Sequence, residues 1–286
     1  MKRALVMLGG GARGSYAAGV VAHLIAELGI NYEILCGVSV GALNAGMLAT
    51  FDAFHGRDAV ASLLRVWRSL GPKSIRKRWG ILGVLHALWR TSVYDSSPLI
   101  DLVKGRMDAA MIRSSGRHLS VLAVSLTTGE HRMFDHTHPS IVDAVLASSS
   151  FPAMFNPIEI DGQLWTDGGL RNESLLKHAI AAGATHIDVV MTAPKASVTP
   201  FSPRPNVIDV AIRAIDVLGD SIAEYDVRMT LMINSLVAQG LGDRRHIDVR
   251  VFRPTERLPA RSLDFDPAAI RRMIEIGQRD AAIIAG

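Results

Sequence analysis

One serine stands between two glycines. Gly37-Val38-Ser39-Val40-Gly41 reads G-x-S-x-G and joins a strand-like run, Glu33 to Val38, to a helix-like run through Ala49. In such a turn the glycines, here Gly37 and Gly41, present no side chains to clash, and the hydroxyl stands at the strand's carboxyl end. It also stands at a helix amino terminus, where aligned peptide dipoles favour the negative charge that develops as an oxygen nucleophile attacks. An ordinary strand-to-helix turn with serine as its cap shares the pattern. Attack by Ser39 would need two further things, a base and a site for the oxyanion.

Two kinds of base are available. The chain has ten histidines, and His178, His186 and His246 follow the serine in the order an α/β-hydrolase triad would use. His178 falls on a helical pattern and His186 at a strand start, and only two predicted strands precede the serine, a poor fit to that fold. Asp167-Gly168-Gly169 is the other source. It follows a strand-like Gln163-Leu164-Trp165 and precedes a helix expected to start near Asn172. Gly168 and Gly169 are more than a turn requires, and let the backbone pass close to another segment such as the serine turn. An aspartate ionises near pH 3.9 in water, so Asp167 would need positioning and desolvation to act as a base.

The third glycine cluster opens the chain. Gly9, Gly11 and Gly14 spell G-x-G-x-x-G within Gly9-Gly10-Gly11-Ala12-Arg13-Gly14, after the apolar run Ala4 to Leu8. That is the dinucleotide fingerprint, and a Rossmann-type dinucleotide-binding protein is the competing reading. A Rossmann site also requires an acidic residue about 20 positions on, at the end of the second strand. Here that strand ends Cys36-Gly37-Val38-Ser39, and Glu33 lies at its opposite end. No Gly-Lys-Ser/Thr follows for a P-loop. The glycine loop then reads as a cradle for some other negative charge.

These three clusters need elements to hold them. Arg3 to Leu8, Glu33 to Val38, Leu119 to Leu126 and His186 to Met191 are buried-strand patterns, and Gly14 to Leu28 is a helical one. Near-continuous apolar strands with helical crossovers predict an α/β fold with a mostly parallel sheet covered on both faces. A mainly helical insertion spans about 52–115. A hairpin turns at Asp161-Gly162 between Ile158–Ile160 and Gln163–Trp165. Four prolines between 194 and 205 mark a loop. Beyond it, 206–240 is a long helical pattern with a break expected near Gly219, 247–252 a late strand, and Asp266-Pro267 the start of a last helix. A core over 4–195 and a mainly helical C-terminal extension over 196–286, packed on it, follow.

Composition bounds the rest. The 286 residues carry a net charge of +4, about half are apolar, and Cys36 is the single cysteine, so no internal disulfide forms. No apolar run reaches the roughly 18 residues of a membrane span. The expectation is a cytoplasmic protein without nucleic acid or cofactor. His131, His136 and His138 gather near Asp135 in what reads as a solvated turn, and their spacing is no recognised metal-ligand pattern, so no metal is expected.

G-G-G-A-R-G, G-V-S-V-G and D-G-G, in this order, resemble the patatin-like phospholipase family, as does Ala147-Ser148-Ser149-Ser150-Phe151-Pro152 with that family's A-S-x-x-x-P segment. The resemblance covers about 4–195. It implies a three-layer α/β/α hydrolase with a Ser-Asp dyad: Ser39 attacks an ester carbonyl, Asp167 takes and returns the proton, and an acyl-enzyme is the intermediate. It implies that amides of the Gly9 to Gly14 loop, especially Gly10 and Gly11, bind the oxyanion, with Arg13 adding charge or bracing the loop. One departure stands after the aspartate, where Leu170-Arg171-Asn172-Glu173-Ser174 lacks the proline often found there. A noncatalytic lipid-binding regulator of the same fold is a further alternative, opposed by the intact Ser39 and Asp167.

Lys73 to Arg90, KSIRKRWGILGVLHALWR, places Ile75, Trp79, Leu82, Leu85 and Trp89 on one helical face between basic ends. Two roles fit: a lid in peripheral contact with a membrane, aromatic side toward lipid, or a cap helix packed on the core. Phospholipid, lysophospholipid, acylglycerol and simple esters all suit the same dyad.

Overall fold

The computed structural model describes residues 2–75, 77–78, 91–171, 173–194, 207–241 and 245–286. Its strands are β1 (Arg3–Met7), β2 (Ile34–Val38), β3 (Lys77–Arg78), β4 (Tyr94–Asp95), β5 (His118–Ser125), β6 (His131–Asp135), β7 (Ile158–Ile160), β8 (Gln163–Asp167), β9 (His186–Val190) and β10 (Asp248–Phe252). Its helices are α1 (Gly14–Val21), α2 (Val40–Ala49), α3 (Gly56–Ser69), α4 (Pro72–Ile75), α5 (Ser97–Lys104), α6 (Ala109–Ser114), α7 (Ile141–Ser148), α8 (Leu175–Ala181), α9 (Val207–Ala238) and α10 (Pro267–Ala285).

Eight strands form one sheet in the order β10-β9-β1-β2-β5-β8-β7, with β6 also paired to β5. The five from β10 to β5 run parallel, and β6, β8 and β7 are antiparallel additions. Side chains alternate across a strand, so β1 feeds two cores at once. Leu5 and Met7 join the cluster under α1, α2, α3, α7 and α10. Ala4 and Val6 join the smaller one under α8 and α9. The result is the expected three-layer α/β/α sandwich with a mostly parallel sheet.

Three local features differ from the sequence reading. Residues 131–135 form strand β6, because Phe134 is drawn into the core opposite Val121 while its neighbours stay near the surface; short and charged, the run shows little alternation. The long helix α9 continues through Gly219 unbroken over 32 residues, since one glycine costs a helix only about 1 kcal/mol. The helix expected near Asn172 opens at Leu175, where the Ser174 hydroxyl accepts the Lys177 N–H as an N-cap. In the insertion, β3 and β4 form a short antiparallel ribbon among the helices. Residues 79–90, with Trp79, Leu82, Leu85 and Trp89, lie outside the described residues.

Candidate active site

Ser39 sits between β2 and α2 at φ 55°, ψ −132°, a backbone state rare for any residue but glycine and costing about 1–3 kcal/mol. The neighbouring glycines explain why the turn closes there and nowhere else. A Cβ on Gly41 would lie 2.1 Å from the Met7 carbonyl oxygen, and one on Gly37 would lie 2.5 Å from that of Gly41. The chain end of α7 holds the strained residue in place. Ser39 N–H donates to Ser148 Oγ at 3.0 Å, and the Ser149 hydroxyl donates to the Ser39 carbonyl, also at 3.0 Å.

Asp167 reaches the serine by register. Val38 lies opposite Leu122 on β5, and Asp167 lies opposite Ala123 on the other side of the same strand. Ser39 and Asp167 therefore flank β5 at one level, two strand spacings or about 10 Å apart between backbones. A Cβ on Gly168 would fall 2.2 Å from the Leu122 carbonyl oxygen, so the D-G-G glycine makes its close approach to β5 rather than to the serine turn. Ser150 ties this end to the other, because its carbonyl accepts the Asp167 N–H at 3.2 Å.

Asp167 is 3% exposed. Oδ1 accepts the Gly169 N–H at 2.8 Å, while Oδ2 is buried and has no hydrogen-bond partner. Burial pushes the pKa up from 3.8 to about 6; the Gly169 amide and the Ser39 hydroxyl oppose the rise, and Asp216 adds to it. The Ser39 hydroxyl is thus close enough to act on the carboxylate, although no hydrogen bond of regular geometry joins them. A carboxylate tuned in this way is a stronger base than one in water.

The glycine loop lies against the same serine: a Cβ on Gly9 would be 3.1 Å from Ser39 Cβ. Gly10 and Gly11 adopt φ of 142° and 56°, turning their amides away from ladder geometry. Three other amides of the loop are already engaged. Ala12 N–H donates to the Ser262 carbonyl at 2.7 Å, Arg13 N–H to that of Gly10 at 3.1 Å, and Gly14 N–H to those of Ala12 and Gly11. That leaves the Gly9, Gly10 and Gly11 amides of the six-residue loop as its available donors. Arg13 lines the cavity and braces the loop: its guanidinium meets Asp216 at 3.3 Å and Ser262 Oγ at 3.2 Å, and Nε donates to the Gly10 carbonyl at 3.3 Å. The Thr192 hydroxyl donates to the Gly9 carbonyl from the end of β9.

Two cavities of about 810 and 760 Å³, open mouths included, meet at Gly11, Ser39 and Phe151. One is apolar, walled by Leu43, Met47, Trp67, Leu99, Phe155 and Phe265. The other holds Asp167 and carries Arg171, Glu173, Asp216, Asp220 and Asp226. No histidine among the described residues lines either. His178 is bonded to Glu173 on α8, and His186 to Thr185 and Asp248. His131 faces Glu173 and His138 faces Asp161, and no group of three potential metal ligands occurs among the described residues.

Sequence reasoning does not reach Thr192, Asp216 or Ser262, which lie 150 residues or more from the glycine loop and belong to no motif. Ser148, Ser149 and Ser150 lie inside a quoted motif, but their roles as ties emerge only from the packing of α7.

Residues 5–180 match the family model described as Patatin-like phospholipase. A cGAMP-activated phospholipase of Pseudomonas aeruginosa is 30% identical over 180 residues, covering 58% of this chain and 52% of that protein. The human Calcium-independent phospholipase A2-gamma is 26% identical over 262 residues, covering 82% of this chain and 30% of that protein. The chain thus spans about half the length of the first of these relatives and less of the second. Among solved structures, VipD from Legionella pneumophila aligns over 99% of this chain and 66% of its own, with a TM-score of 0.48 and 15% identity.

Proposed function

The chain belongs to the patatin-like phospholipase family, and from that premise we propose that it is a serine acyl-ester hydrolase of lipid esters working through a Ser39–Asp167 dyad. The observation that carries this is the convergence at Ser39: a strained serine, a buried carboxylate with a raised pKa and the free amides of the glycine loop, at the junction of two cavities.

The chemistry follows from those parts. Ser39 Oγ attacks the ester carbonyl carbon as its proton passes to the Asp167 carboxylate. The carbonyl oxygen becomes an oxyanion, which the Gly10 and Gly11 N–H groups and the α2 amino terminus stabilise. Collapse breaks the bond to the alcohol oxygen, which takes the proton from Asp167 and leaves an acyl ester on Ser39. Water then attacks that ester, giving its proton to Asp167. The second collapse releases the carboxylic acid and returns the proton to Ser39. The cavity under Trp67 and Phe155 suits the acyl chain, and the one that carries Arg171 and Glu173 the departing alcohol. The carboxylates of that second cavity also argue against a bound pyrophosphate, which they would repel.

Ser39→Ala and Asp167→Asn are each expected to lower hydrolysis of a short-chain aryl ester by at least about a thousandfold with the fold retained by circular dichroism. A fluorophosphonate probe is expected to label the wild type and not Ser39→Ala. Full activity in either folded variant would sink the dyad.

A further inference from the structure

Helix α9 has two sides with different employment. Ile215, Gly219, Ile222 and Ala223 face inward and line the cavity that holds Ser39 and Asp167. Another face looks outward. Val210, Val217, Leu218, Tyr225, Met229, Met232 and Leu236 are all exposed, with Leu218, Tyr225 and Met232 at 42%, 53% and 58%. Their spacing of seven, one, seven, four, three and four residues keeps them on one side of a 3.6-residue helix. Ala214, Ser221 and Ser235 fill the gaps on that side without charge. Arg228 is the one charged residue there, a cation whose Nε lies 3.3 Å from Glu224.

We propose that this face of α9 is a lipid-docking surface that seats the mouth of the catalytic cavity on a bilayer. The inference rests on the lipid-ester reading of the Ser39 site. An exposed helix face on a globular protein ordinarily carries mixed charges, and an apolar stripe broken only by Ser221, Arg228 and Ser235 points to an occupant. From Val210 to Leu236 the stripe is about 39 Å long at 1.5 Å per residue, and a single helix is about 10 Å wide. That gives about 400 Å², half of the roughly 800 Å² per partner of a stable protein interface. A second copy of the chain held by this face alone would bind poorly. A membrane sets no such threshold, because each apolar side chain gains on leaving water. Position decides the matter further. The stripe and the cavity wall are two sides of one helix, so docking the first holds the second about one helix diameter from the lipid surface. Cationic Arg228 at the edge suits lipid phosphates.

The test compares the full-length chain with Leu218→Glu/Met232→Glu, using vesicles of phosphatidylcholine mixed with phosphatidylglycerol. The double variant is expected to hydrolyse a water-soluble aryl ester at the wild-type rate. Its vesicle flotation and its hydrolysis of vesicle lipid are expected to fall more than about tenfold. Because Cys36 is buried, Met232→Cys in a Ser39→Ala background takes an environment-sensitive dye at that one site. A blue shift on vesicles is expected, and it reads docking whatever the variant's activity. Unchanged flotation of a folded double variant, or no shift of the dye, overturns the proposal. So does a wild-type dimer in sedimentation velocity that the glutamates convert to monomer, which would assign the face to a second copy. Failure of the wild type on the aryl ester would instead count against the dyad, and leaves the docking measurements standing.

Discussion

Asp167 carries the consequences of burial most directly. Under the proposed dyad, its pKa near 6 is expected to place the acid limb of kcat/KM there, with activity falling about tenfold per pH unit below it as the carboxylate is protonated, measured as a pH–rate profile on the aryl ester. The same shift bears on stability with a definite sign. The folded form holds this proton up to about pH 6 and the unfolded form only to about 3.8, so between those values the folded state binds more protons. Stability therefore falls as pH rises through that window, by roughly 3 kcal/mol in all. Asp167→Asn removes the titration. It is expected to melt several degrees above the wild type near neutral pH and alongside it in acid below the window, measured by calorimetry at the two values. Equal melting at neutral pH would mean that the ionised carboxylate is better solvated than its burial implies. Ser148→Ala acts through position instead: it frees the Ser39 N–H and is expected to lower kcat several-fold with KM little changed.

At the scale of elements, the site is a set of strand ends held by three ties. The end of α7 grips both β2 and β8 through Ser148, Ser149 and Ser150. β9 holds the glycine loop through Thr192, and α9 holds it through Arg13 and Asp216. Arg13→Ala leaves Asp216, itself pressed into the cavity wall, without its cation. Such a loss costs roughly 3 kcal/mol where a pair is buried, somewhat less here at the edge of solvent. The loop that presents Gly10 and Gly11 also loses its brace, so kcat is expected to fall more than KM rises, in steady-state kinetics on the aryl ester. Gly41→Ala tests the turn itself. Its Cβ would overlap the Met7 carbonyl, and soluble folded protein is not expected from that variant.

Over the whole molecule, the segment beyond the family match completes the sandwich. β10 extends the sheet past β9, and α10 lies on α1 where Gly19 and Gly277 allow near contact of backbones. A Cβ on Gly277 would lie 2.2 Å from the Tyr16 carbonyl oxygen, and one on Gly19 would lie 2.1 Å from that of Ile274. Gly277→Val is therefore expected to destabilise by several kcal/mol, visible as a large drop in melting temperature. Truncation at residue 206 would remove α9 as well, opening the catalytic cavity and releasing the Arg13 brace. The proposed catalytic residues lie within 5–180, yet the walls that shape their cavity come partly from beyond it.

The sequence alone determined what local chemistry dictates. Apolar strand runs foretold the parallel sheet, and glycine clusters foretold where backbone must turn sharply or approach another segment, because only glycine tolerates those conformations and contacts. Hence Ser39, Asp167 and the Gly9–Gly14 loop were legible as candidates. The short strand 131–135 was not, since a single buried Phe134 leaves little periodicity to read. Tertiary structure decided which candidates meet. Register across β5 brought Asp167 rather than a histidine level with Ser39, and burial raised its basicity. A bond to the distant Ser262 carbonyl took the Ala12 amide out of the loop's free donors. Those are long-range effects of strand order and desolvation, which no local pattern encodes. The opening glycines mark a strained backbone beside the serine, and their neighbours far along the chain decide what that backbone can bind.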